Sequence, residues 1–266
     1  MQIDTLKLVY FSPTGTTRTI LKAVAEGLQA AHSETIDLTP PDARNRQSAQ
    51  MDHQLALIGM PVYAGRIPAE AAQRLQRVKG NCTPAVLVVV YGNRAFEDAL
   101  LELSDLANTA GFIPVAGAAF IGEHSYTTTE KPLAMGRPDA QDLTQAVQFG
   151  RQVRKKLSVL SALEQLPALA VPGNHPYRNP MPPSDIAPVT EEALCTLCGV
   201  CAEVCPTGAV TVNGSVQTTG QDCIVCCVCI KSCPTGARVM RDERIISLAE
   251  RLFRTCTERK QPEIFL

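Results

Sequence analysis

Eight cysteines of the chain fall in two short runs that share one spacing. Cys195-Thr-Leu-Cys198-Gly-Val-Cys201-Ala-Glu-Val-Cys205-Pro206 is followed by Cys223-Ile-Val-Cys226-Cys-Val-Cys229-Ile-Lys-Ser-Cys233-Pro234. Both read C-x2-C-x2-C-x3-C-P, a spacing at which thiolates ligate a [4Fe–4S] cluster. Thr207-Gly208-Ala209 returns as Thr235-Gly236-Ala237, so the whole unit is duplicated and two clusters are expected. Where two such runs share one chain, the fourth cysteine of each ligates the other cluster. Transferred here, one cluster takes Cys195, Cys198, Cys201 and Cys233, and the other takes Cys223, Cys226, Cys229 and Cys205. Zinc is the rival ligand, but a four-coordinate ion gives no reason for the third cysteine or the trailing proline. Cys82, Cys227 and Cys256 lie outside the pattern and read as buried small hydrophobes, with competition as a ligand the alternative for Cys227.

A second segment suits an anion. Phe11-Ser12-Pro13-Thr14-Gly15-Thr16-Thr17-Arg18 sets small hydroxylated residues around a glycine, between an apolar run and a helical pattern. Backbone N–H groups at a helix start, the helix dipole and uncharged hydroxyl donors together fit a phosphate. A simple helix N-cap is the alternative. No lysine of the G-x-x-x-x-G-K-[ST] type is present, which argues against a nucleotidase loop.

The elements that must position these residues alternate along residues 1–158. Leu6–Phe11 reads as a first strand, and a helix from about Gly15 carries Ile20, Leu21, Val24, Ala25 and Leu28 on its inner face. Glu34–Leu38 reads as an edge strand and Leu55–Gly59 as the next strand, followed by helix from about Ala69. Ala85–Tyr91 is a continuous apolar run, as a parallel strand covered on both faces requires. A helical repeat from Phe96 to Ala110 ends at Gly111, a C-terminal cap. Ile113–Ile121 is a fifth strand, and a last helix runs through Leu143 to Leu157. Strands alternating with helices predict an α/β fold with a doubly wound five-stranded parallel sheet. Residues 159–188 form a linker in which Pro167, Pro172, Pro176, Pro180, Pro182, Pro183 and Pro188 favour a stiff, extended connector. Residues 189–240 hold the cysteine repeat. Residues 241–266 are a tail whose helix, over 242–256, presents Ile245, Leu248, Ala249, Leu252 and Phe253. That helix packs on the body or, alternatively, binds a partner.

Composition excludes several classes. The formal charge of −1 gives no basic field for nucleic acid. The N-terminus lacks a secretory pattern, and no apolar stretch approaches the ~18 residues of a membrane span. Cysteines spent on metal runs point to a reducing cytoplasm and low oxygen. Thiolates around iron make the C-terminal region more negative than the count, which favours partners with a basic docking face.

The phosphate loop resembles that of the flavodoxin family, [ST]-x-T-G-x-T, through Ser12, Thr14, Gly15 and Thr17. The flavodoxin likeness spans roughly residues 4–157. It implies bound flavin mononucleotide (FMN) and a flavodoxin-like sheet of order 2-1-3-4-5, with ligands at the carboxyl ends of the strands. Three further segments fall at such ends: Gly59 to Pro68, Tyr91-Gly92-Asn93-Arg94 and Gly122-Glu123-His124-Ser125-Tyr126. The resemblance therefore implies cofactor contacts from Ser12, Pro13, Thr14, Gly15, Thr16, Thr17, Pro61, Val62, Tyr63, Ala64, Gly65, Arg66, Tyr91, Gly92, Asn93, Arg94, Glu123, His124 and Ser125. Tyr63 and Tyr91 would stack on or edge the ring, with ordinary core-edge packing as the alternative. Gly65 and Gly92 would admit backbone close to the ring, and Asn93 would bond its pyrimidine end. Arg66 and Arg94 would favour the anionic reduced form. His124 is the one catalytic candidate, against a structural role. His32, His53 and His175 read as surface residues.

Joined to a small α+β bacterial 2[4Fe–4S] ferredoxin-like domain, this chain resembles the flavodoxin–ferredoxin fusion family, iron–sulfur flavoproteins of the EFR type. The family implies FMN, two [4Fe–4S] clusters and electron transfer between them. The donor or acceptor would be a ferredoxin-like or other iron–sulfur protein, since no Rossmann fingerprint supports a nicotinamide site. The alternative is an FMN-dependent reductase of a small molecule, such as a quinone, fed by its own clusters. A regulatory redox sensor is a third reading, but nothing in the chain resembles a DNA-binding motif.

Overall fold

The computed structural model describes residues 4–52, 54–159, 167–180, 182 and 184–266; His53 and Pro183 lie outside them. β1 (Thr5–Tyr10) leads through the glycine-centred loop into α1 (Thr16–Leu28). There follow β2 (His32–Asp37), β3 (Ala49–Met51), β4 (Leu55–Pro61), α2 (Ala69–Leu75), β5 (Val78–Gly80) and β6 (Thr83–Tyr91). α3 (Ala99–Thr109), β7 (Phe112–Ile121) and α4 (Ala140–Ser158) complete the alternation. β1, β2, β4, β6 and β7 pair in parallel in the order β2-β1-β4-β6-β7. Every residue of β4 and β6 is buried, because helices cover both faces. Leu8, Leu57, Val86 and Val88 pack with α1 and α4. Val9, Ile58, Leu87 and Val89 face the opposite side, where α3 contributes Leu100 and Leu103.

The cysteine repeat folds as two short antiparallel ribbons with two single-turn helices. β8 (Val189–Thr190) comes first, then α5 (Val200–Glu203), β9 (Val210–Val212), β10 (Val216–Thr218), α6 (Val228–Lys231) and β11 (Arg238–Val239). β9 pairs with β10 and β8 with β11. The duplication holds in the backbone. Leu197 and Val225 have φ of 55° and 52°, and the residues before the two helices, Gly199 and Cys227, have φ of 82° and 59°. Cys227 thus stands where the first copy has glycine, buried, with its thiol donating to the Val225 carbonyl at 3.5 Å.

The chain closes with α7 (Glu243–Thr255) and β12 (Glu263–Phe265). β12 adds antiparallel to β7, so the central sheet has six strands where five were expected. The reason is the outer edge of β7, whose free N–H and C=O groups a strand must cover. Three residues near a chain end carry too little pattern to reveal this. Two more expectations change. Cys82 is exposed, in the turn between β5 and β6 with φ 52°. The described part of the proline-rich segment is extended but strapped along α3. The Asp98 carboxylate accepts from the backbone N–H of Asn174 at 2.9 Å and of Arg178 at 2.7 Å.

Candidate functional site

The loops at the carboxyl ends of β1, β4, β6 and β7 meet around one cavity of about 500 Å³. Its floor is Ser12, Pro13, Thr14, Thr16 and Thr17; its walls are Pro61 to Ala64, Val90 to Gly92, Arg94 and Gly122 to Tyr126. The sheet explains the convergence, because parallel strands all deliver their following loops to one end. Gly15 begins α1 in the left-handed region, at φ 85°, with only the Arg18 guanidinium near the space its side chain would fill. The Ser12 hydroxyl accepts from the Arg18 N–H at 3.0 Å, which braces the turn. The Thr17 hydroxyl is buried, 1% exposed, and has no hydrogen-bond partner among the described residues. A buried hydroxyl without a partner is costly, and a phosphate oxygen at this helix start would satisfy it.

Three of the nineteen residues expected to touch a cofactor have other partners instead. Asn93 is buried; its amide donates to the carbonyls of Cys256 at 2.9 Å and Glu258 at 2.8 Å, so it anchors the tail. The Arg66 guanidinium is held by Glu102 at 2.7 and 2.8 Å and lies 4.6 Å from the Tyr177 ring centre. Gly65 and Ala64, both at positive φ, make the tight turn closed by Tyr63 and Arg66. At Gly65 a Cβ would strike the Glu97 carboxylate, so its freedom serves the turn. Gly92 lines the cavity, yet a Cβ there would meet the His124 ring at 2.4 Å, so it seats His124.

His124 lies beside Tyr126, ring centres 4.9 Å apart, and its Nδ1 accepts the Tyr126 N–H at 3.1 Å. Burial, with the Lys231 and Arg94 cations nearby, lowers its pKa to about 4. The imidazole is therefore neutral at pH 7, its proton on Nε2. Burial pushes the Tyr91 hydroxyl up to about 12 and raises Tyr63 and Tyr126 well above the ordinary range. Arg94 pairs with Glu97, which also binds Arg178; the Arg94 hydrogen bond is the main reason the Glu97 carboxyl is lowered.

Sequence reasoning missed the opposite wall. Ile224 and Val225 of the second cysteine run line the cavity, and so do Leu248, Arg251, Leu252 and Thr255 of α7. The amphipathic face of α7 thus forms a roof. Only the apolar face of Ile245, Leu248, Ala249, Leu252 and Phe253 hinted at a packing or partner surface, and not at which. Of Tyr177 and Arg178, the proline-rich residues that a closed reductase pocket was expected to use, Arg178 joins the same wall, whereas Tyr177 turns to Asp105. His32 and His175 are exposed, as expected.

The cysteine runs surround a second, small void. Its lining brings Cys195, Cys198 and Cys201 together with Cys233 of the other run. Cys205 of the first run packs in one group with Cys223 and Cys229 of the second run and with Cys201 of its own. Among the described residues no three His, Cys, Asp or Glu converge as a site for one ion.

Residues 188–211 match a family model described as a 4Fe-4S binding domain, which assigns iron–sulfur binding to the first cysteine run. No match was found among curated protein sequences. Solved structures show distant likeness. A flavodoxin from the domain Archaea is 12% identical over 58% of this chain and 99% of its own, with a TM-score of 0.37. A Fusobacterium nucleatum flavodoxin bound to flavin mononucleotide is 16% identical over 58% of this chain and 96% of its own, also at 0.37. Rubredoxin oxygen:oxidoreductase from the anaerobe Desulfovibrio gigas is 13% identical over 60% of this chain and 38% of its own, at 0.42. At such distances no functional statement rests on them.

Proposed function

We propose that this chain transfers electrons between two [4Fe–4S] clusters and an FMN held in the cavity below α7. The reading is carried by one observation: the loop of the second cysteine run, through Ile224 and Val225, is itself a wall of the cavity that the phosphate-type loop floors. A cavity of about 500 Å³ is in the range of small-molecule and cofactor sites. Bound there, a flavin accepts one or two electrons, while each cluster accepts one.

The residues have distinct tasks. Thr14, Thr17 and the start of α1 would hold the phosphate; Tyr63, Tyr91 and His124 would border the ring. The crossed sets give the two clusters different exposure. In the first set Cys198 is exposed and Cys195 half-buried, open to a partner protein. In the second set Cys226, Cys229 and Cys205 are buried, and Val225 beside them reaches the cavity. The family-level reading is an EFR-type iron–sulfur flavoprotein, working in a cytoplasm poor in oxygen with an iron–sulfur protein as donor or acceptor.

A second reading has its own support. α7 and Arg178 close over the cavity beside His124 and Tyr126, as a reductase of a small acceptor such as a quinone would need. Anaerobic purification separates the cases. Four iron and four sulfide per cysteine set and one FMN per chain are expected; colourless or zinc-loaded protein overturns the reading. After reduction with dithionite, reoxidation by carrier proteins alone excludes the reductase, and rapid turnover of a quinone excludes the pure relay. Cys205→Ala tests the crossed sets: its residual paramagnetic signal should match that of Cys226→Ala, and a match to Cys198→Ala would refute the crossing.

A further inference from the structure

The two halves of the cysteine repeat differ in charge at one buried position. After the fourth cysteine the first copy reads Pro-Thr-Gly-Ala-Val210 and the second Pro-Thr-Gly-Ala-Arg238. Val210 is a buried apolar residue of β9. Arg238, at the matching place in β11, is 2% exposed, so a permanent cation stands where symmetry would put a methyl-bearing side chain. Its hydrogen-bond partners among the described residues are all neutral. Nη1 donates to the Thr190 hydroxyl at 2.6 Å, and Nη2 to the Pro188 carbonyl at 2.9 Å and the Thr218 hydroxyl at 2.8 Å. Nη2 also lies 3.9 Å from the Cys229 sulfur, and Nε has no partner. The side chain borders the void shared by Cys195, Cys198, Cys201 and Cys233. A buried guanidinium with no carboxylate is unfavourable unless another negative charge balances it.

We propose that Arg238 is an electrostatic tuning residue whose counter-charge is the pair of cysteine-ligated clusters, and that it holds their reduction potentials up. The proposal rests on the two-cluster reading above. Potentials of such clusters follow net charge, hydrogen bonds to sulfur and exposure. On reduction, each cluster takes one electron from the donor and becomes more negative by one charge, with no bond made or broken. A fixed cation between the first set's void and Cys229 of the second set stabilises that added charge, and the low local dielectric lengthens its reach. The side chain tunes the clusters by its position and takes no part in the transfer itself.

Arg238→Gln removes the charge and keeps much of the hydrogen bonding; Arg238→Lys keeps the charge and loses the planar fork. Both would be purified anaerobically, assayed for iron and sulfide, and titrated with dithionite under paramagnetic resonance. With full iron, Gln should lower the reduction equilibrium of at least one cluster tenfold or more, about 59 mV for one electron. Lys should stay within threefold of the parent. Equal potentials in Gln and Lys overturn the tuning role, and so does loss of iron from both, which would make Arg238 a plain clamp of β8, β10 and β11. A parent protein short of four iron atoms per cysteine set would overturn the cluster reading instead.

Discussion

At the residue scale, single polar atoms carry most of the functional case. The Thr17 hydroxyl is the sharpest, being buried, unpartnered and on the cavity floor. Thr17→Val keeps the shape and removes the donor. It should weaken FMN retention roughly tenfold, about 1.4 kcal/mol, with circular dichroism unchanged. Unchanged flavin affinity would show that the loop does not grip the phosphate. His124 makes a different demand. Its pKa falls from 6.5 to about 4 on folding, so the unfolded chain binds the proton first as pH drops. Its neutral burial costs nothing above pH 6.5, and stability is lost as pH falls from about 6.5 toward 4. Between pH 7.5 and 5.5 the urea midpoint should fall by an amount worth about 1 kcal/mol, measured anaerobically. His124→Gln should flatten that slope; an equal slope in the variant would mean the group is not held neutral.

At the element scale, α1 and α4 approach closely at the C-terminal end of α1, the end away from the glycine-centred loop. A Cβ on Gly27 would lie 2.0 Å from the Val147 carbonyl oxygen, and one on Gly150 would lie 2.2 Å from that of Val24. Neither contact is a flexible side-chain tip, so the helices must part. Gly27→Ala should therefore cost about 1–3 kcal/mol despite alanine's better helix propensity. A thermal midpoint at or above the parent's would refute the close packing. The roof, α7, is fixed by different means. Ile245 and Leu252 are buried, Asn93 grips the chain just beyond the helix, and β12 ends it on β7.

At the scale of the whole molecule, the cysteine domain is tied to the sheet by buried charge and hydrogen bonds. Arg74 of α2 is 1% exposed; it donates to the carbonyls of Leu38, Thr39 and Pro40 and, at 2.6 Å, to that of Pro206, next to Cys205. Arg44 reaches the Thr207 carbonyl, and Lys231 pairs with Glu123 on the cavity rim. Arg74 also pairs with Glu70 at 2.6 Å, so Arg74→Met takes the donor from these carbonyls, leaves Glu70 only the Arg44 guanidinium at 3.5 Å, and should cost about 3 kcal/mol or more. Limited proteolysis should then cut between the two parts faster than in the parent. Unaltered protection would mean that the remaining contacts suffice.

Much of this molecule is written in short-range pattern. The five parallel strands of the main sheet and the helices through Ser158 follow from local pattern, although the short β3 and β5 do not, and the iron chemistry of the first run follows from cysteine spacing. Both signals are local, because a helix face or a ligand loop is set by residues a few positions apart. The assignment of Asn93 and Arg66 to the cofactor was also local; their side chains bond to Glu258 and Glu102, which lie far along the chain. Only the tertiary structure decided that α7 and Val225 wall the cavity, that residues 263–265 complete the sheet, and that Arg238 is buried beside Cys229 and the void lined by Cys195, Cys198, Cys201 and Cys233. Each depends on contacts between segments distant in sequence, whose placement is fixed by edge pairing and burial and leaves no repeat for the sequence to display.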